Sequence, residues 1–294
     1  MVSNKVQNLG MIPFFTLEEE ATKRAESNLT TDLYSFGDQI IDDYCGGGWG
    51  RHDAYELICV FGGTGMNKST LMSQMALSAA FKGAKVAYLA LEDEAVDVVI
   101  RMRKQMGLKP DGTAKGMADQ QRADIIRKNI RFFPENDGYS LSEMAKTIEE
   151  LFKTYDVVMV DPIQFVFEAS VVESGESEFN RQRLFMRELR NIVVKAKKPL
   201  VFVSHTNKSA YNKKSDVDGL GQMLGSSQLP QICSKIVQIN RDEDGLRSLK
   251  LLKTRFTRNR YNKLQVNLDP DKLRIYFDPA GLTQQQIMDM KANW

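Results

Sequence analysis

Residues 62–70 read Gly62-Gly63-Thr64-Gly65-Met66-Asn67-Lys68-Ser69-Thr70, directly after the apolar run Ala54–Phe61 and directly before a stretch of helical periodicity. Residue types in this order suit the holding of phosphate. Glycines let backbone amides close around phosphate oxygens, and the positive end of the following helix faces the same point. Lys68 brings a point charge toward the outer phosphates of a nucleotide such as ATP or a dNTP, and the Ser69 hydroxyl suits Mg2+. The pattern G-x-x-x-x-G-K-[ST] is met at Gly62, Lys68 and Ser69, whereas Asn67 stands where the second glycine is expected. Asn is the mildest replacement if the position requires a positive φ. Its side chain still adds bulk beside the phosphates. Crowding of the phosphate is the favoured expectation, and a hydrogen bond to it is the other.

Two acidic partners follow. The apolar stretch Val157–Val160 ends in Asp161, placed to orient Mg2+ through water. Pro162 comes next, so a catalytic base must come from another strand. Lys85–Leu91 ends in Glu92-Asp93-Glu94. Strand carboxyl ends gather at the ligand crevice of an open parallel sheet, so Glu92 is the candidate to activate an attacking water. Asp93 and Glu94 read as caps of the next helix.

These side chains need a frame of alternating strands and helices. Helices are expected over Ser69–Phe81, Ala95–Met106, from the Ser140–Glu143 capping box through Lys153, and over Phe179–Lys197. Strands are expected at Ala54–Phe61, Lys85–Leu91, Ile130–Phe133, Val157–Val160 and Leu200–Ser204, and Gly107–Gln121 reads as loop. Runs apolar on both faces, separated by helices, imply a parallel sheet covered on both sides. Lys235–Asn240, Ser248–Thr254, Leu264–Leu268 and Arg274–Phe277 are joined by short connections and read as antiparallel additions to the sheet edge. A capping box at Thr16–Glu19 opens a polar helix, Leu17–Ser27, with little apolar face of its own. The expected division is an N-terminal arm over 1–30, an α/β domain over 31–281 and a tail over 282–294.

Composition bounds the function. Forty Lys+Arg against 38 Asp+Glu leave a net charge of +2, which excludes a histone-like basic coat and an acidic solvating tail. No apolar run approaches the ~20 residues of a membrane span. Two histidines, His52 and His205, exclude a His-rich metal site, and three scattered cysteines, Cys45, Cys59 and Cys233, make no disulfide framework. A cytoplasmic location is the expectation.

With these motifs in order, the chain resembles the RecA-like helicase domain of DnaB-type hexameric replicative helicases, particularly phage primase–helicases and mitochondrial Twinkle. The resemblance spans roughly Thr31 to Phe277. Leu89-Ala90-Leu91-Glu92 resembles the strand ending in the catalytic glutamate, and Val157–Asp161 with Pro162-Ile163-Gln164 resembles the Walker B segment. Val201–His205 resembles the strand ending in a γ-phosphate sensor. Gly225-Ser226 with Gln231 resembles the glycine-serine turn after the DNA-binding loop, although Ser234 replaces the aspartate expected there. Leu251–Thr257 resembles the segment whose Lys253 and Arg255 reach a neighbouring subunit's nucleotide, and Arg241 sits where the phage branch has a base-stacking arginine. The fold implied is a RecA-like P-loop NTPase with a mainly parallel central sheet. The function implied is a ring-forming, NTP-dependent helicase on single-stranded DNA, working as a homo-oligomer with a separate primase, polymerase or loader. For DNA contact, Thr206–Gly221 offers Lys208, Lys213 and Lys214 with Tyr211, a set that suits backbone contact plus stacking. A filament-forming RecA/RadA-like recombination ATPase and a weakly hydrolysing regulatory subunit are the alternatives.

Overall fold

A computed structural model of the chain describes residues 33–50, 55–134, 140–169, 178–206, 229–242, 244–255 and 263–279, with 18, 19 and 22 before them and 283, 284, 287 and 288 after. The chain divides into two units, Met1–Leu33 and Tyr34–Trp294. In the first, Glu18, Glu19 and Thr22 are helical, and the Thr22 hydroxyl donates to the Glu18 carbonyl at 3.0 Å. Most of the expected Leu17–Ser27 helix lies outside the described residues.

The second unit is built on one nine-stranded sheet in the order β3-β2-β4-β5-β1-β6-β7-β8-β9. In chain order its elements are α1 (Gln39–Tyr44), β1 (Glu56–Gly62), α2 (Lys68–Phe81), β2 (Val86–Ala90), α3 (Ala95–Gln105), α4 (Met117–Asn129), β3 (Ile130–Pro134), α5 (Leu141–Thr154), β4 (Val157–Asp161), α6 (Gln164–Ala169), α7 (Glu178–Ala196), β5 (Pro199–His205), α8 (Leu229–Ile232), β6 (Lys235–Arg241), β7 (Arg247–Thr254), β8 (Leu264–Asp269) and β9 (Arg274–Tyr276).

Burial explains why the central strands carry so little polarity. Strands β1, β2 and β4 are buried along their whole length. Period-two alternation sends Ile58 and Val60 of β1 into one apolar cluster, with Leu71 and Met75 of α2. It sends Leu57, Cys59 and Phe61 into the other, with Ile148 of α5 and Leu189 of α7. Local signals set the helix ends. The Ser140 hydroxyl accepts from the Glu143 amide at 3.2 Å and the Glu143 carboxylate accepts from the Ser140 amide at 2.9 Å. Asp38 caps α1, its Oδ1 accepting from the Ile40 and Ile41 amides at 2.9 and 3.1 Å.

The structure departs from the sequence reading in two places. Helix α4 occupies part of the stretch read as loop. It buries only Ala123 and Ile126, and Gly116 caps it without a side-chain bond, so neither an apolar stripe nor a capping residue announces it. Strand β6, read as antiparallel, pairs parallel to β1, with Ile58 opposite Lys235. The long connection after β5 carries the chain back to the same end of the sheet, as a parallel pairing requires. The antiparallel additions begin with β7.

One contact fixes how closely the phosphate loop can leave its strand. A Cβ at Gly62 would stand 2.3 Å from the Ile239 carbonyl oxygen of β6. That oxygen is backbone inside a paired strand and cannot rotate away. Gly62→Ala is therefore expected to lose about 1–3 kcal/mol. Thermal unfolding followed by circular dichroism should show a midpoint about 3–8 °C lower.

Candidate nucleotide site

Residues 63–67 leave β1 and enter α2 through Asn67, which has φ 68° and ψ 31°. This is the left-handed region, where Asn is among the few tolerated non-glycine residues, so the sequence expectation for this position holds. Gly65 also has positive φ, 76°, and a Cβ there would meet nothing within 4 Å, leaving one side of the loop open. The Lys68 amine lies back over the loop, donating to the Gly63 carbonyl at 2.8 Å. Burial lowers its pKa, against the opposing pull of Asp161 and Glu92. Gly63 and Thr70 are buried, whereas Thr64 is exposed and Met66 half-buried.

The sheet register brings the acidic partners to the same end. Ala90 pairs with Asp161, and Gly62 pairs with His205. The Ser69 hydroxyl donates to Asp161 Oδ1 at 3.1 Å, and the Tyr88 hydroxyl donates to Asp161 Oδ2 at 2.8 Å. Burial pushes the Asp161 pKa up to about 6 although both hydrogen bonds pull it down. Glu92 is exposed just beyond β2, with Oε2 3.6 Å from His205 Nε2. Asp93 and Glu94 do not cap α3. Asp93 forms an ion pair with Arg101 of α3, and Glu94 holds the N-cap position without a side-chain bond.

The donor set fits a magnesium nucleotide. Mg2+ is held through few protein oxygens, with waters and phosphates completing its shell. Ser69 and Asp161 supply two hard oxygen ligands beside the backbone amides of the loop. Among the described residues no group of three or more His, Cys, Asp or Glu could hold a metal.

Other predicted residues fall elsewhere. Arg241 ends β6, exposed, with Nε donating to the Gly245 carbonyl at 3.1 Å. Lys253 and Arg255 lie at the opposite end of the sheet. Thr254 is level with Lys235, and Lys235 with Ile58, four residues back from Gly62. That is ~13 Å along the strand. There the Lys253 amine donates to the Gln231 carbonyl at 3.2 Å, and Arg255 donates to the Tyr55 hydroxyl at 2.8 Å and to the Gln231 carbonyl at 3.2 Å. Ser234, in place of the expected aspartate, is buried and stitches β6 to β1: its hydroxyl accepts from the Leu57 amide at 3.0 Å. Lys208, Tyr211, Lys213, Lys214, Gly225 and Ser226 lie outside the described residues.

Two participants escape the motif reading. Tyr88, the one polar aromatic in Val-Ala-Tyr-Leu-Ala, could have been flagged by the need of a buried phenol for a partner. The other is Arg247, whose Nε donates to Asn67 Oδ1 at 3.0 Å. Neither expectation for the Asn67 side chain, crowding or phosphate bonding, anticipates this partner.

Fold and site together define a RecA-like P-loop nucleotide-binding domain. The chain belongs to the family described as "AAA domain", whose profile matches residues 25–211. It is 25% identical over 270 residues to the DNA helicase/primase of Enterobacteria phage T3, covering 84% of this chain and 46% of that protein. A DNA repair protein RadA of Chlamydia trachomatis serovar D is 24% identical over 227 residues, covering 76% of this chain and 42% of that one. A probable plasmid replicative DNA helicase of Chlamydia trachomatis serovar L2 is 24% identical, covering 60% of this chain and 41% of the relative. The chain thus spans less than half the length of these relatives. Among solved structures, a helicase-type ATPase domain superposes with a TM-score of 0.66 at 13% identity, over 88% of this chain and 97% of that one. A KaiC-like protein of Pyrococcus horikoshii OT3 superposes with a TM-score of 0.58 at 17% identity, over 83% and 98%.

The state of Asp161 has a measurable consequence. Its folded pKa, about 6, exceeds the ordinary value of 3.8, so between them the folded chain holds more protons than the unfolded one. Its charge therefore costs stability that is absent below the lower value and fully expressed above the higher. Nucleotide-free Asp161→Asn is expected to be about 1–2 kcal/mol more stable than the parent at pH 8, with the difference fading toward pH 4. Paired denaturation curves across this range check it.

Proposed function

We propose that this domain hydrolyses ATP or a dNTP and uses the energy to move along single-stranded DNA as a ring-forming helicase or translocase in replication. The observation that carries the reading is the separation of two cationic sets. Lys68 stands with Ser69, Asp161, Glu92 and His205 at one end of the parallel strands, and Lys253 and Arg255 stand at the other, out of reach of their own loop. A second copy must bring its Lys253 and Arg255 to the first copy's nucleotide to complete the charge around it.

Each residue then has a task. Amides of residues 63–69 and the Lys68 amine hold the phosphates. Ser69 and Asp161 hold Mg2+, which when bound neutralises charge on the β- and γ-phosphate oxygens. Glu92 accepts a proton from the attacking water. His205 touches Glu92 and ends the strand that leads into Thr206–Gly221, so it links the state of the γ-phosphate to the loop bearing Lys208, Tyr211, Lys213 and Lys214. Arg255 supplies a planar cation to the transition state of the neighbouring subunit. Arg241 stacks on the base. The arm over 1–30 docks on an adjacent protomer, the assembly is a hexamer, and a separate primase, polymerase or loader joins it in the cytoplasm. Among the described residues no helix is long and apolar enough to cross a membrane. The match to RadA favours a second reading, a recombination ATPase on filaments, and electron micrographs with nucleotide and single-stranded DNA separate rings from filaments.

Lys68→Ala and Arg255→Ala should each lose DNA-stimulated turnover by about 10³-fold, the size of an arginine-finger effect. Mixed in one assembly they should recover part of it, because some interfaces then carry both intact groups. Glu92→Gln should bind nucleotide and turn over at least about 10²-fold more slowly. Absence of recovery in the mixture argues against a shared site, and parental turnover in Glu92→Gln removes it as the base.

Changing Lys208, Lys213 and Lys214 together to Ala should weaken single-strand binding and reduce its salt slope by about 2, at ~0.7 for each phosphate no longer neutralised. Fluorescence anisotropy of a labelled oligonucleotide across salt concentrations measures both. An unchanged slope places the DNA elsewhere.

A further inference from the structure

Arg247 opens β7 and lies directly across the hairpin from Arg241, the last residue of β6. Like charges directly opposite in an antiparallel pair repel. Arg247 is also partly withdrawn from water, and burial first, then the Arg241 charge, lower its pKa. Among the described residues no carboxylate lies within ion-pair distance of either guanidinium. Asp242, next in sequence to Arg241, is engaged in the turn, accepting from the Leu246 amide at 2.7 Å.

What holds Arg247 is Asn67, 180 residues away in sequence, through the single bond from Nε. The Asn67 side chain makes no cap bond to α2, and its neighbour is Lys68 of the phosphate loop. A guanidinium has five N–H donors in a fixed fork. With Nε engaged, both Nη groups are without a hydrogen-bond partner among the described residues. An arginine tethered through Nε beside a phosphate loop keeps the two-pronged edge that grips phosphate oxygens bidentately.

We propose that Arg247 is a phosphate-binding residue of the nucleotide site and that Asn67 is its positioning residue. The proposal rests on the reading of residues 62–70 as a nucleotide loop. It gives a reason for a side chain where the loop pattern has glycine: Asn67 keeps the left-handed backbone and adds a tether. It also gives the Arg241–Arg247 pair its missing counter-charge, since the nucleotide's phosphates relieve a repulsion built into the empty hairpin.

The test is titration of the full chain with a fluorescent ADP, alongside thermal unfolding without nucleotide to confirm folding. Arg247→Ala should bind about ten-fold more weakly, ~1.4 kcal/mol. Arg247→Lys should recover less than half of this in free energy, because it restores charge without the fork. Asn67→Gly should also weaken binding, and the double variant should be no weaker than Arg247→Ala alone, since the tether acts only through the arginine. If Arg247→Ala unfolds, Arg247→Gln, which keeps volume and a donor, carries the same expectation. Parental affinity in the folded Arg247 variants, or costs that add in the double variant, overturn the proposal. Lys68→Ala is the control. If it too binds at parental affinity, the reading of residues 62–70 falls as well. If it loses binding while Arg247→Ala does not, only the proposal falls.

Discussion

A buried carboxylate without a cation governs the arrangement of this molecule. Asp161 closes a strand that is buried along its whole length, and withdrawal from water favours its neutral form. The protein offsets this only in part, with one hydroxyl from β2 and one from α2. Those two bonds need Tyr88 and Ser69 at fixed heights beside β4. That in turn requires the β2–β4 register that sets Ala90 against Asp161 and a loop that delivers α2 at its first turn. The aspartate is left poised for a divalent ion rather than satisfied by protein.

The same sheet keeps two kinds of positive charge apart. Lys68 is over its own loop, while Lys253 and Arg255 gather around the Gln231 carbonyl at the far end of β7. Strand direction makes this separation. β6 runs with β1 and ends near the phosphate loop, and β7 runs back, so its last residues emerge on the other side. A short hairpin is thus enough to place cations of one chain where they are useless to that chain and available to another.

Much of this was legible in the sequence, for identifiable reasons. The central strands carry unbroken apolar runs and the loop carries residue types with few other uses, so β1, α2, β2, β4 and β5 and the grouping of Lys68, Ser69 and Asp161 could be placed. The Ser140–Glu143 box marked α5 because both halves of a reciprocal bond are visible as residue types. Helix α4 was hidden because its buried face is two residues wide and its cap is a glycine. The direction of β6 was hidden because apolar alternation does not distinguish parallel from antiparallel pairing. The Arg247 partner of Asn67 could not be read at all, since only folding brings positions 180 apart together.

That tether also bears on how this domain can vary. Positions 67 and 247 lie in segments that an exchange of parts between relatives would separate, one in the phosphate loop and the other past the last parallel strand. A glycine arriving at 67 leaves an arginine without its anchor, and an apolar residue arriving at 247 leaves a half-buried amide without its donor. Substitutions at the two sites are therefore expected to track each other through descent. A chimera that takes its first half from a glycine-bearing relative would inherit an intact loop and a stranded cation.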